Sequence, residues 1–548
     1  MMRQRVANVR RPAAVLPVST AVATVRHVAG WSFFRAALSG TSSASADERG
    51  RVLSKSWLAA VKGKNPQWTD CFAETVTEEW VADRSARTNA TRLRDFGADD
   101  EDDDLPQTVA TQSSKILEQR GGVEQFALAV SDDVDVAGFA CRYGLKATMI
   151  HRLSQEDHPL VGWLRRHGAT VIGKLQNTMP FALNESTYFE HSPGAAAVTC
   201  GACDVAVVTT IYGVGGANAP VVEDTVSFTP SKTTFPRGTP PFSRFRSMGF
   251  IFRDLASLSS FWSEIAGDST VAISKPQSVA ATGLRTSALD EDQSTAMDPI
   301  ARHSSSASHL HHASHHLSGI STSGVEGGLI VGIPAGWIDA CFASADVEDA
   351  GSQFLTAYRE QAQKRLDRRG AAKLRCEGRA VEVKRLSWTA SPDDVYDCAR
   401  TIAHFELAEA LQKAGPAFAG TGLLEQLPRG VLNAIYEGRN IARGEYEMAV
   451  AAKAEIAQEF IEEAGEVDCV AMPLVCPPMQ SNNLRSSAVT LPVGLSGCPS
   501  LSLRVHLPGF APLGVKPPLR FGDYSPMMIA AEPGMDSALI DIVNDFFR

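Results

Sequence analysis

Between residues 107 and 262 the chain keeps changing its period. The stretches "EQFALAVSD", "PLVGWLRRHG", "ATVIGKL", "AAAVTCGACDVAVVTT" and "SMGFIFRDLASLSSFW" carry strand-like and helical patterning in turn. Apolar runs this short read as strands, and stretches between them with apolar residues three and four apart read as helices. Strands that alternate with helices build a sheet with helices packed on its faces. The expectation is therefore an α/β chain with a mixed central β-sheet covered by helices on both faces, an α/β/α arrangement.

That patterning stops over residues 266–325, which are rich in Ser, Ala, Thr and His and contain "HSSSASHLHHASHHLSG". Six of the 13 histidines lie between His303 and His316. A metal-binding tract is one reading. A low-complexity insertion is the better one, because nothing nearby supplies carboxylates or a packed frame to fix ligand geometry. Patterning resumes at "EGGLIVGIPAGWIDACF", read as a strand with a turn, and a long helical stretch follows. Its clearest part is "RGEYEMAVAAKAEIAQEFIEEAG", where Tyr446, Val450, Ala454, Ala457 and Ile461 fall at steps of four and three. Strands separated by Pro/Gly turns then return in "VDCVAMPLVCPP", "VTLPVGLSGCPSLSLRVHLPG" and "APLGVKPPLRFGD", before a last helix, "ALIDIVNDFF". Strands at both ends of a helical half imply one continuous sheet, so residues 107–548 are expected to form one domain interrupted by the insertion.

Upstream, residues 47–93 read as helices and 94–106 as an acidic, Pro-ended linker, "DFGADDEDDDLP". Residues 1–46 hold six arginines and no acidic residue, in a background of Ser, Ala and Val. That is the profile of a mitochondrial transit peptide, and it predicts a location in the matrix. A cleaved secretory signal with Ala13–Val25 as its apolar part is the alternative. The arginines are spread through the segment rather than clustered at its start, which favours the first reading.

Losing those six arginines takes the net charge from −10 to −16. A body this anionic is a poor match for a nucleic-acid backbone over most of its surface. The local basic run from Lys364 to Arg385 reads either as a solvated face or as a docking patch. No run of uninterrupted apolar residues approaches the ~18 that would mark a membrane span. The ten cysteines are scattered. The close pair Cys200–Cys203 lacks the second ligand pair that a zinc site would need, so no metal and no cofactor is expected.

The chemistry turns on "FALAVSDDVDVAG", Phe126–Gly138, which resembles "VPVAVKDNIDVAG" of the amidase signature family. Further segments resemble that family in the same order. "RRHGATVIGKLQNTMPFAL" is similar to "RAAGAVVLGKTNMPEFAL", "AAAVTCGACDVAVVTT" to "SAAAVAAGLVPLALGTD", and "GFIFRDLASL" to "VGPLARTVADLALL". The closing strands resemble "DVLLTPTTPTPA" and "TLPANLTGLPAISVPCG". The likeness runs from about residue 51 to 548. It implies the family's fold, shared with the A subunit of glutamyl-tRNA(Gln) amidotransferase, and amide-bond chemistry by a Ser–Ser–Lys triad. In such a triad a neutral, desolvated lysine takes a serine proton through a bridging serine, and glycine-rich backbone holds the oxyanion.

Carried over position by position, the resemblance places the family lysine on Ser131. The bridging serine falls near Ser192, beside Pro193. The oxyanion loop falls on Gly213, Gly215 and Gly216, and the nucleophile on Ala217, or on Val214 or Gly215 if no gap is allowed. No serine occurs between Ser192 and Ser227, no lysine between Lys174 and Lys232, and no arginine between Arg166 and Arg237. Thr209 and Thr210 are substitute hydroxyls, though without an activating amine evident in the sequence. Helix capping or turn formation accounts for such hydroxyls equally well. The glycines fit a tight turn as readily as an oxyanion loop. The expectation is a catalytically inactive amidase-like protein, a structural or interaction subunit of a mitochondrial assembly with protein partners. The alternative is an active amide hydrolase or amidotransferase A-type subunit with a non-standard nucleophile.

Overall fold

A computed structural model describes residues 72–75, 126–145, 153–176, 192–210, 214–232, 234–235, 247–266, 329–342, 349–370, 381–414, 427–474, 489–507 and 524–546. All belong to one compact unit, Leu53–Arg548; the other unit, Met1–Val52, contains none of them. The arginine-rich leader, the acidic linker and nearly all of the His-rich insertion lie outside the described residues.

The strands are β1 (Phe72–Thr75), β2 (Ala127–Ser131), β3 (Thr170–Leu175), β4 (Val205–Thr210), β5 (Val226–Thr229), β6 (Ser247–Phe252), β7 (Leu329–Ile333), β8 (Val381–Arg385), β9 (Cys469–Pro473), β10 (Ser500–His506) and β11 (Tyr524–Ala530). They form one 11-stranded sheet in the order β1-β3-β2-β4-β6-β5-β10-β11-β9-β7-β8. The sheet is mixed. β2 runs parallel to β3 and β4, and β7 runs parallel to β8 and β9, while β4, β6, β5, β10, β11 and β9 are successively antiparallel. As expected, strands from both ends of the chain share this sheet: β10 pairs β5 on one side and β11 on the other.

The helices are α1 (Pro159–Arg166), α2 (Pro193–Thr199), α3 (Ala219–Val222), α4 (Leu255–Ala266), α5 (Ala335–Phe342), α6 (Ala350–Gly370), α7 (Pro392–Ala414), α8 (Arg429–Asn440), α9 (Arg443–Ala464), α10 (Leu491–Ser496) and α11 (Asp536–Phe546). None of the described helices is long and apolar enough to cross a membrane. Strand alternation decides which side each covers. Phe250, Phe252 and Phe228 point one way and meet Phe261 and Trp262 of α4 in edge-to-face and tilted contacts at 5.1–5.4 Å. Ala206, Val208 and Ile251 point the other way, against Gly194 of α2 and the turn at Gly216. Both faces are thus covered. Each fully buried phenylalanine contributes about 1.5–3 kcal/mol through removal of its ring from water.

Four local readings change, the first being that Leu491–Ser496, inside a stretch read as strands and turns, is helix α10. The 47–93 segment, read as helical, contributes a strand: Phe72–Thr75 pairs antiparallel with β3 as an edge. The rest of that segment lies outside the described residues. "PAGWIDACF", read as a turn after β7, is helix α5, with Trp337, Ile338, Cys341 and Phe342 buried. Helix α9 forms as expected, but its buried residues are Tyr446, Phe460 and Ala464, and Val450 is 41% exposed. The apolar stripe is continuous around that side of the helix, so its period cannot say which flank meets α7 and α10.

Candidate functional site

The C-terminal ends of β2, β3 and β4 lie side by side in the sheet, and the acidic turn "SDDVD" follows β2 there. Strand β2 runs between β3 and β4, with Val130 beside Lys174 on one side and Val207 on the other. The strand–turn reading of the sequence is therefore correct. What the turn gathers is richer than the sequence suggested.

Ser131 and Thr209 come together, with Oγ and Oγ1 3.4 Å apart. Thr209 Oγ1 lies 2.8 and 2.7 Å from the two carboxylate oxygens of Asp133. A carboxylate is an acceptor only, so the single Thr209 proton faces Asp133 and Ser131 donates to Thr209. The result is a directed chain, Ser131 to Thr209 to Asp133. All three residues are buried.

Lys174 is the residue the sequence reading missed. It is the penultimate residue of β3, is 1% exposed, and its Nζ donates to the Val134 carbonyl in the acidic turn. Burial pushes its pKa down; Cys141 and the carboxylates Asp132, Asp133 and Asp135 pull it back up. A signal was present in "TVIGKL": a lysine near the end of a mostly apolar strand needs a counter-charge if it is buried, and the acidic turn supplies it. Asp132 accepts from the Gly144 N–H at 2.9 and 3.1 Å. Burial first, and then the neighbouring Asp133 charge, push its pKa up to about 7. Asp135 accepts from Ser154 Oγ at 2.5 Å. Among the described residues no group of three or more His, Cys, Asp or Glu side chains is arranged to hold a metal ion.

Ser192, the bridging-serine position, is the N-cap of α2, its Oγ accepting from the Ala195 N–H at 3.3 Å, with Pro193 in the first turn. Capping is therefore its structural job. Thr210 is buried at the end of β4. Gly213 lies outside the described residues. Gly215 and Gly216 form a turn pressed on the sheet. Gly216 has φ +76°, a left-handed conformation that favours glycine. A Cβ on Gly215 would sit 2.6 Å from the Gly249 nitrogen, and one on Gly249 would sit 1.9 Å from the Gly215 carbonyl oxygen. The Gly215 carbonyl accepts from Thr229 Oγ1 at 2.9 Å. The Ala217 N–H donates to the Val214 carbonyl at 3.2 Å, and the Ala217 methyl is buried. The Gly215 carbonyl is thus taken by Thr229 of β5, and the Ala217 N–H by the turn itself.

Cys200 caps the C-terminal end of α2, and Cys203 follows it and is buried. The basic run Lys364–Arg385 spans the last turns of α6 and the edge strand β8, where Lys384 pairs with Glu466. Its side chains over 363–380 lie outside the described residues.

The sequence matches no family model and no curated relative. The fold does match solved structures. A crystal structure of an amidase aligns at TM-score 0.55 and 17% identity, over 93% of this chain and 97% of that one. A bacterial aryl acylamidase of the amidase signature family aligns at TM-score 0.54 and 13% identity, over 90% and 91%. A 6-aminohexanoate cyclic dimer hydrolase, solved with substrate, aligns at TM-score 0.53 and 15% identity, over 94% and 95%. The chain has the fold seen in amidase signature structures, along nearly its whole length.

Proposed function

We propose that this protein is a non-catalytic amidase-fold chain that serves as a structural or interaction subunit of an assembly in the mitochondrial matrix. One observation carries the reading. The hydroxyls at the ends of β2 and β4, Ser131 and Thr209, are 2% and 7% exposed and are already linked to Asp133. A nucleophile must reach its substrate and give its proton to a base of matched strength. Thr209 faces a carboxylate inside a closed turn, and the Lys174 amine is directed to the Val134 carbonyl. Where the family resemblance puts the attacking oxygen there is the Ala217 methyl. The turn at Gly215–Ala217 keeps its shape through bonds that serve the fold. The arginine-rich leader supports the location, and retention of the whole sheet around these strand ends supports a scaffold role.

The purified chain is expected to give no turnover with glutamine or aryl amides and no labelling by a serine-directed fluorophosphonate. Tagged protein recovered from mitochondria is expected to run larger than a monomer. Robust turnover lost on a single substitution within residues 190–220 overturns the non-catalytic half of the proposal. A lone monomer with no stable partner overturns the assembly half.

The second reading is an amide hydrolase or amidotransferase A-type subunit with Thr209 as nucleophile. The observation favouring it is the short approach of Thr209 to Asp133. An acyl adduct mapped to Thr209 during turnover would decide for it.

A further inference from the structure

Strand β8 closes one end of the sheet. β7 pairs along one side of it, and among the described residues no strand lies on the other. The ladder with β7 is parallel and regular, from Leu329 beside Val381 to Ile333 beside Arg385. Along such a ladder alternate residues turn their N–H and C=O to opposite sides of the strand. Leu386 donates to the Ile333 carbonyl, so Leu386, Lys384 and Glu382 direct their backbone groups to β7. Val381, Val383 and Arg385 therefore direct theirs outward. The Val383 carbonyl accepts from Arg359 Nη2 of α6 at 3.1 Å, and it keeps a second lone pair. Exposed edges are usually blunted by proline, a bulge or charges. β8 has neither proline nor bulge, its valines are half-buried, and its charges are of both signs.

We propose that β8 pairs antiparallel with β8 of a second copy of this chain, about a two-fold axis at Val383. The order of residues in "VEVKR" points to a second copy rather than to a foreign strand. With the axis at Val383, Glu382 of each copy lies opposite Lys384 of the other, on the same face of the sheet. Moving the axis by one residue sets Glu382 against Glu382 or Lys384 against Lys384, so the charges select one register. Lys384 then lies between its own Glu466 and Glu382 of the second copy. Val381, Val383 and Arg385 supply about six backbone hydrogen bonds between the copies. The two Val383 side chains meet at the axis. This pairing needs nothing but the chain itself, so it is separate from any other partner in an assembly.

The test is sedimentation velocity on the purified full chain from about 1 to about 50 μM. A monomer–dimer equilibrium is expected. Val383→Pro removes an outward N–H and spares the bonds to β7, so it should be monomeric. Glu382→Lys sets like charges opposite each other and should raise the dissociation constant about tenfold or more. Combining it with Lys384→Glu should restore the dimer. Val383→Cys brings two thiols face to face, where a hydrogen-bonded antiparallel pair has its Cα atoms about 5.5 Å apart. Mild oxidation should then give a disulfide-linked dimer, and Arg385→Cys should not. A monomeric wild-type chain overturns the proposal, as does a dimer that Glu382→Lys leaves unchanged or that links as readily through Arg385→Cys. Should Val383→Pro not fold, the charge variants and the cross-link decide. A purified monomer that still recovers other proteins from mitochondria overturns this inference and leaves the assembly reading standing.

Discussion

Lys174 shows how one buried charge sets the chemistry of its surroundings. It sits near the end of β3 with only protein for solvent, and the acidic turn is arranged around it. Replacing it with methionine keeps the volume and leaves the carboxylates without a cation. Removing one partner of a buried ion cluster costs about 3–5 kcal/mol. Urea unfolding of Lys174→Met at pH 8 is expected to show a loss of that order, and a smaller loss at pH 5, below the pKa of about 7 to which burial pushes Asp132. The acidic turn itself was readable from "FALAVSDDVDVAG", and so was the strand feeding it. Its partner was not, because Lys174 is 40 residues from Val134 and only the parallel pairing of β2 with β3 brings them together. The same holds for Thr209: its hydroxyl was a candidate from the sequence, but its bond to Asp133 spans 76 positions.

At the scale of elements, local chemistry does most of the work. Helix α2 starts where Ser192 can cap and Pro193 needs no donor. Ser192→Ala is expected to lower stability by about 1 kcal/mol, measurable by thermal melting, because the Ala195 N–H loses its acceptor. Helix α7 opens in the same way, with Ser391 Oγ bonded to Asp394 and accepting from the Asp394 N–H. Such signals lie within four residues and were legible. Helix α5 was misread as a turn because "PAGWIDACF" begins with Pro-Ala-Gly, a turn-like opening, although four apolar residues follow at helical spacing. Strand β1 was misread because four residues carry too little pattern, and its strand character comes from pairing with β3. In α9 the helix was legible and the buried flank was not, since only α7 and α10 determine which side is covered.

For the molecule as a whole, the decisive contacts join distant parts of the chain. Asp536, at the start of α11, accepts from the Ser231 N–H at 2.8 Å, from Ser231 Oγ at 2.6 Å and from Thr234 Oγ1 at 3.0 Å. Ser231 Oγ in turn accepts from the Gly534 N–H at 2.8 Å. These bonds fasten the C-terminal helix to the loop after β5, about 300 positions away. Asp536→Ala leaves buried donors unpaired and is expected to cost about 1–3 kcal/mol; denaturant unfolding followed at Trp262, whose Nε1 donates to Ser537 Oγ, would report it. The sequence by itself determined that this chain builds a mixed sheet covered by helices and where most of those elements lie. These follow from periodicity, caps and residue identity, which are local. Only the tertiary structure decided that Lys174 enters the acidic turn, that Thr209 faces Asp133, and that the Gly215 carbonyl is taken by Thr229 of β5. Those outcomes depend on strand order and register, which bring residues 40 to 78 positions apart within hydrogen-bonding distance.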